Sequence, residues 1–100
     1  MDFDTQDIAL ELVFQAVLYA DYRQTRVIAE NPDKWIETNP ILGDHPSKQR
    51  VRNYFIGAAI AHTGITALLP QGPYRTLWQG LSIGWEAGMV SANYRIGIRF

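Results

Sequence analysis

The chain has 100 residues, a formal net charge of −1 and no cysteine. This bounds a single domain and excludes a disulfide scaffold, thiolate catalysis and cysteine metal sites. No global field directs it to nucleic acid. Charged residues make up 19 % of the chain, below the roughly 25 % of soluble domains, and they are segregated. From Asn53 to Tyr74 there is no formal charge if His62 is neutral, and from Thr76 to Tyr94 there is only Glu86, whereas Asp21 to Arg52 holds eleven charged residues. The mean hydropathy of −0.13 therefore averages apolar segments with a polar connector.

In chain order, Asp4 is placed to cap a helix whose third position is Asp7, with both negative charges near the positive end of the macrodipole. No basic residue precedes the first apolar run, so no cleaved leader is expected. The helix covers about residues 5–30. Its uninterrupted apolar part, Ile8 to Ala20, gives about 20 Å against the roughly 30 Å of a hydrocarbon core. The helix then either spans by continuing past Asp21 or lies in the interface as an amphipathic helix. Glu11 and Gln15, four apart, form a polar stripe that must face protein or water.

A polar connector covers about residues 31–47. Asn31-Pro32-Asp33-Lys34 reads as a fresh cap with Pro at the first helical position, and Asn39-Pro40 and His45-Pro46 set two rigid corners. Trp35, Ile41 and Leu42 are expected to anchor the connector at headgroup level. Ser47 caps a second helix over about 48–69. Pro70-Gln71-Gly72-Pro73 then reverses the chain, and a third helix runs over about 74–93 before a short tail, 94–100.

The third helix carries Gly80, Gly84 and Gly88 four residues apart, a small-xxx-small pattern by which membrane helices approach closely. Gly57, Ala61 and Gly64 on the second helix supply a matching small-residue surface. The six positions predict a tight antiparallel hairpin. Gln79, Ser82, Glu86 and Asn93 group on the side opposite the glycines, and depth matching places Glu86 level with Gly57 and Tyr19 and close to Asp21, within reach of Arg23 or Arg52 as its partner. The resulting fold is all-α: a small transmembrane bundle of two or three spanning helices. The distribution of Lys and Arg puts the connector and C-terminus in the cytoplasm.

Candidate chemistry is sparse. Asp21, Glu37, His45, His62 and Glu86 are metal-ligand types, but no two form a close ligand pair, so neither a metal nor another cofactor is expected. His62 is read as bonding a backbone carbonyl or Gln15. There is no recognisable catalytic triad and no phosphate-binding glycine loop, and the chain reads as no enzyme. Polar residues singled out as functional candidates are Asp21, Gln24, Thr25, Glu37, Asn39, Pro40, His62, Glu86 and Asn93.

The run Asp21-x-x-Gln24-Thr25, the block Glu37-Thr38-Asn39-Pro40-Ile41-Leu42-Gly43-Asp44-His45-Pro46-Ser47, and then Tyr54-Phe55, Glu86 and Asn93-Tyr94 resemble a group of small membrane proteins of tailed phages and prophages. The resemblance covers most of the chain from Asp21 onward. It implies a bacterial inner membrane and assigns no catalytic residue. The expected function is that of an inner-membrane accessory protein. Its partners would be the lipid bilayer and, through helix association, a second copy or a host membrane protein. Two alternatives stand beside it, a holin-like lysis protein and a soluble α-helical interaction module.

Overall fold

The computed structural model describes residues 2–37 and 41–98. It holds three helices, α1 (Thr5–Glu30), α2 (Lys48–Leu68) and α3 (Pro73–Arg95), and no strand among the described residues. The all-α reading and the helix positions therefore stand. Each boundary has a local cause. Asp4 and Asp7 form a reciprocal capping box at the start of α1, which satisfies two orphan N–H groups. Asn31 ends α1, and the predicted fresh helix after Pro32 is a single turn in which the Lys34 and Trp35 amides both donate to the Asn31 carbonyl, each at 3.0 Å. Ser47 caps α2 by accepting from the Arg50 amide at 3.1 Å.

The end of α3 lies beyond the predicted Asn93. Gly97 adopts φ +107°, the left-handed conformation that glycine takes without strain. Its amide donates to the Tyr94 carbonyl, and the Ile98 amide donates to the Asn93 carbonyl. This is a Schellman termination, and it turns Ile98 inward until only 2 % of it is exposed.

The helices run up, down and up with α1 in the centre. Glu11 faces His62 and Tyr22 faces Phe55, so α1 and α2 are antiparallel. Asp7 meets Arg75 while Gln24 meets Val90, so α1 and α3 are parallel. Both α2 and α3 pack along α1 and barely touch each other. The apolar core is small: Phe14, Leu18, Val51 and Phe55 from α1 and α2, closed by Leu42 of the connector. Leu42 is thus a core residue, not the surface anchor the sequence suggested.

The tight α2–α3 approach predicted for Gly57, Ala61, Gly64, Gly80, Gly84 and Gly88 is not made within the chain. A Cβ built on any of the five helical glycines would meet nothing within 4 Å, and Ala61 is exposed. The glycine side of α3 points away from α1 because the opposite side, with Gln79, Glu86 and Asn93, is the one that α1 receives. The hairpin connectivity is as expected, but α1 separates the two arms.

The interior is rich in polar groups. Among the described residues nine polar or charged side chains and eight apolar ones, Pro46 included, are buried, while Leu68, Trp85 and Ile60 are 86 %, 72 % and 69 % exposed. No helix among the described residues has a run long and apolar enough to cross a membrane, so the structure supports the helical bundle and leaves the spanning claim without that support.

Gly84→Leu is therefore expected to stabilise the isolated chain by about 0.5–1 kcal/mol, since an exposed helical glycine is replaced by a better helix former with free space around it. Chemical unfolding of the purified monomer checks the sign, and a loss of stability would show that the glycine side is covered within the chain.

Candidate functional site

The inner side of α1 reads Asp7, Glu11, Phe14, Leu18, Asp21, Gln24, Thr25 and Ile28. These spacings of three and four keep the residues on one stripe. Its polar members form three clusters along the bundle.

The first lies where α3 begins. Arg75, 0 % exposed, donates to Asp7 Oδ2 at 2.8 Å and to Asp2 Oδ1 at 2.9 Å, and its Nε donates to the Leu69 carbonyl at 3.1 Å. The planar guanidinium suits this many acceptors at once. Its hydrogen bond to Asp2 holds that carboxyl below the usual carboxylate range.

The second cluster centres on Glu11. Oε1 accepts from Thr66 Oγ1 at 3.0 Å and Gln79 Nε2 at 3.2 Å. Oε2 faces His62 Nδ1 at 2.7 Å, Thr63 Oγ1 at 3.1 Å and Gln15 Nε2 at 3.2 Å. So many donors suit a carboxylate, and His62 turns a protonated Nδ1 toward it. Nε2 has no hydrogen-bond partner among the described residues. The imidazole is fixed between two rings, stacked on Phe14 at 3.5 Å and on Trp78 at 4.8 Å, and Trp78 Nε1 donates to Thr66 Oγ1 at 3.0 Å. His62 thus bonds Glu11 and not Gln15 or a carbonyl, although Gln15 belongs to the same cluster.

The third cluster joins α1 to the far half of α3. The Glu86 carboxyl lies beside that of Asp21. Thr25 Oγ1 donates to the Asp21 carbonyl at 2.8 Å. Gln24, 0 % exposed, donates through Nε2 to the Val90 carbonyl at 3.0 Å and accepts from Asn93 Nδ2 at 3.3 Å. Five of the sequence candidates, Asp21, Gln24, Thr25, Glu86 and Asn93, are brought together here. His62 stands apart in the second cluster. Glu37 is buried in the connector, its amide donating to the Asp44 carbonyl at 2.9 Å, and Asn39 and Pro40 lie outside the described residues.

Because α2 and α3 hardly meet, a groove of about 520 Å³ opens between them. Phe14 belongs to its lining, and His62, Trp78, Trp85 and Glu86 line its sides. Two buried polar atoms without a partner, His62 Nε2 and Glu86 Oε2, belong to residues of this same groove. No group of three or more acidic or histidine side chains suited to a metal occurs among the described residues.

Sequence reasoning missed Arg75 and Asp7 as interior residues and left Glu11 facing either protein or water. The signal was available for the two acids, because Asp7 and Glu11 continue the stripe of Asp21, Gln24 and Thr25. Arg75 carried one too. It is the base of the reversal, opposite an N-terminus holding Asp2, Asp4 and Asp7. No protein family, curated protein or solved structure matches this chain.

Glu11→Leu strands His62 Nδ1 and one amide hydrogen of Gln79 in the interior and is expected to cost about 2 kcal/mol or more, since each unsatisfied buried group costs about 1–3 kcal/mol. Glu11→Gln keeps an acceptor and is expected to cost less. Denaturant titration of both variants distinguishes this from a surface-like Glu11, for which the two losses would be equal and small.

Proposed function

We propose that this chain is a bilayer-embedded accessory protein of the bacterial inner membrane, of phage or prophage type. It acts by helix association, with a second copy or with a host membrane protein, and not by catalysis. The observation that carries the reading is a polar interior beneath large exposed apolar side chains. Ion pairs, carboxamides and a histidine are enclosed, while Ile8, Leu12, Ile56, Ile60, Leu68, Leu77, Leu81 and Trp85 are exposed. In water such a surface is an aggregation liability; against lipid it is the expected exterior.

The absence of a long apolar run has a physical account under this reading. Hydropathy averaged along a helix mixes its inner and outer sides, and here the inner side of α1 carries Asp7, Glu11 and Asp21. Those groups need not face lipid when α2 and α3 supply their partners. The open glycine sides of α2 and α3 are then contact surfaces for another helix, since close packing and not hydrophobic burial drives association in lipid.

Fractionation tests the localisation. The protein is expected to stay with membranes through a carbonate wash and to float with vesicles on a density gradient. A monomer recovered from the aqueous phase without detergent would end the reading. Cells induced to make the protein are expected to keep their membrane potential, whereas abrupt depolarisation would favour a hole-forming role.

A further inference from the structure

A separate seam runs between α1 and α2. It holds two hollows of about 350 and 380 Å³ that meet at Gln15 and Ala59, which line both, and no residue of α3 lines either. Buried Leu18 and Phe55 line the larger part of the seam together with exposed Tyr19 and Ile56. Gln15 Nε2 donates to the Ala59 carbonyl and to Thr63 Oγ1, each at 3.2 Å, so these polar groups are paired with one another and leave the seam to an apolar occupant.

One end of the seam is basic. Arg52 lines the hollow there beside Tyr19. The Arg23 guanidinium lies 6.0 Å from the centre of the Tyr19 ring, and its Nη1 donates to Tyr19 Oη at 3.5 Å, so both arginines border the same opening. Neighbouring bases have local partners: Arg26 pairs with Glu30 at 3.7 Å, Arg50 donates to the Ile41 carbonyl at 2.9 Å, and Lys34 lies over the Trp35 ring. Arg23 and Arg52 are exposed, and none of the described salt bridges reaches either. No acidic side chain lines either hollow.

We infer that the α1–α2 seam binds one anionic phospholipid, its phosphate held by Arg23 and Arg52 and one acyl chain lying along the seam toward Thr63. The charge at the opening selects the occupant, because guanidinium groups suit phosphate oxygens and no carboxylate is there to receive the ammonium of a zwitterionic headgroup. The length agrees. From Arg52 to Thr63 the seam extends about 16 Å at 1.5 Å per residue, close to half of a hydrocarbon core of roughly 30 Å, which is the depth one acyl chain spans in its leaflet. Tyrosine and arginine together at the opening are the side chains expected where that leaflet meets water. The site rests on the bilayer reading, which supplies the lipid.

The test uses the full chain in a non-ionic detergent, 15N-labelled at arginine and titrated with phosphatidylglycerol, with phosphatidylcholine of the same acyl chains, and with glycerol 3-phosphate. Phosphatidylglycerol is expected to shift the Arg23 and Arg52 side-chain resonances saturably and to bind about tenfold or more tightly than phosphatidylcholine, the difference expected of two bases facing a net negative headgroup. Glycerol 3-phosphate, with no acyl chain, is expected to bind at least about tenfold more weakly than phosphatidylglycerol. Arg23→Gln and Arg52→Gln are each expected to weaken phosphatidylglycerol about fivefold while leaving the unfolding temperature unchanged, and Arg50→Gln to leave the affinity as it is. Equal binding of the two lipids, equal binding of the lipid and glycerol 3-phosphate, or an Arg50→Gln loss as large as that of Arg52→Gln overturns the site. So do arginine shifts that follow protein concentration without added lipid, which would mark the seam as a contact between two copies. Titration in detergent keeps the two readings apart: failure to bind removes the site and leaves the flotation result standing, and failure to float removes the embedding and leaves the titration standing.

Discussion

The carboxylate of Glu11 is the contact on which the arrangement turns. It takes hydrogen bonds from Gln15 on its own helix, from His62, Thr63 and Thr66 on α2 and from Gln79 on α3. A buried carboxylate is tolerated only when its lone pairs are filled, and here the donors come from both neighbours, three from α2 and one from α3. Glu11 thus ties both flanking helices to the central α1, and the gap between them is the groove.

The same requirement decides the fate of the glycines. The third helix has two surfaces that cannot both face inward, one of small residues and one carrying Gln79, Glu86 and Asn93. Close packing gains about 0.1–0.2 kcal/mol per atom pair, whereas each buried polar group left without a partner costs about 1–3 kcal/mol. Gln79 and Asn93 each make hydrogen bonds to α1, and Glu86 meets Asp21. The polar surface therefore turns inward, and the glycine surface is left outside with free space beside every Cβ position. Packing propensity read from a glycine repeat sets what a helix can do, and the polar residues on its other side set what it does.

This explains which parts of the molecule were legible in the chain. Helix limits were, because they rest on local chemistry: Asp4 with Asp7, Ser47 before Lys48, and Pro73 after Gly72 each determine a boundary within four residues. The level of Glu86 beside Asp21 was legible too, since depth follows from rise per residue once the turn is located, but the expected pairing with Arg23 or Arg52 is not made among the described salt bridges, because both bases are exposed. The centrality of α1 was not. It depends on Glu11 and His62, 51 positions apart, and nothing local distinguishes a polar stripe that takes two neighbours from one that takes one. Leu42 was misplaced for a related reason. A leucine between Pro40 and Pro46 looks like a surface anchor until Val51 and Phe55 close over it.

The two ends of the bundle differ in a way that bears on how it would sit in lipid. The end that holds the α2–α3 turn has one base, Arg75, and that base is enclosed by Asp2 and Asp7. The other end carries Arg23, Lys34, Lys48, Arg50, Arg52 and Arg95, all exposed. Exposed cations resist transfer into a hydrocarbon core, whereas a buried and hydrogen-bonded ion pair has already lost its water on folding. Under the bilayer reading the turn end is thus the one able to pass through the membrane, and the basic end is retained at the cytoplasmic surface. Arg75 then does two things with one guanidinium: it satisfies Asp7 in the interior, and it leaves the leading end of the hairpin without an exposed base.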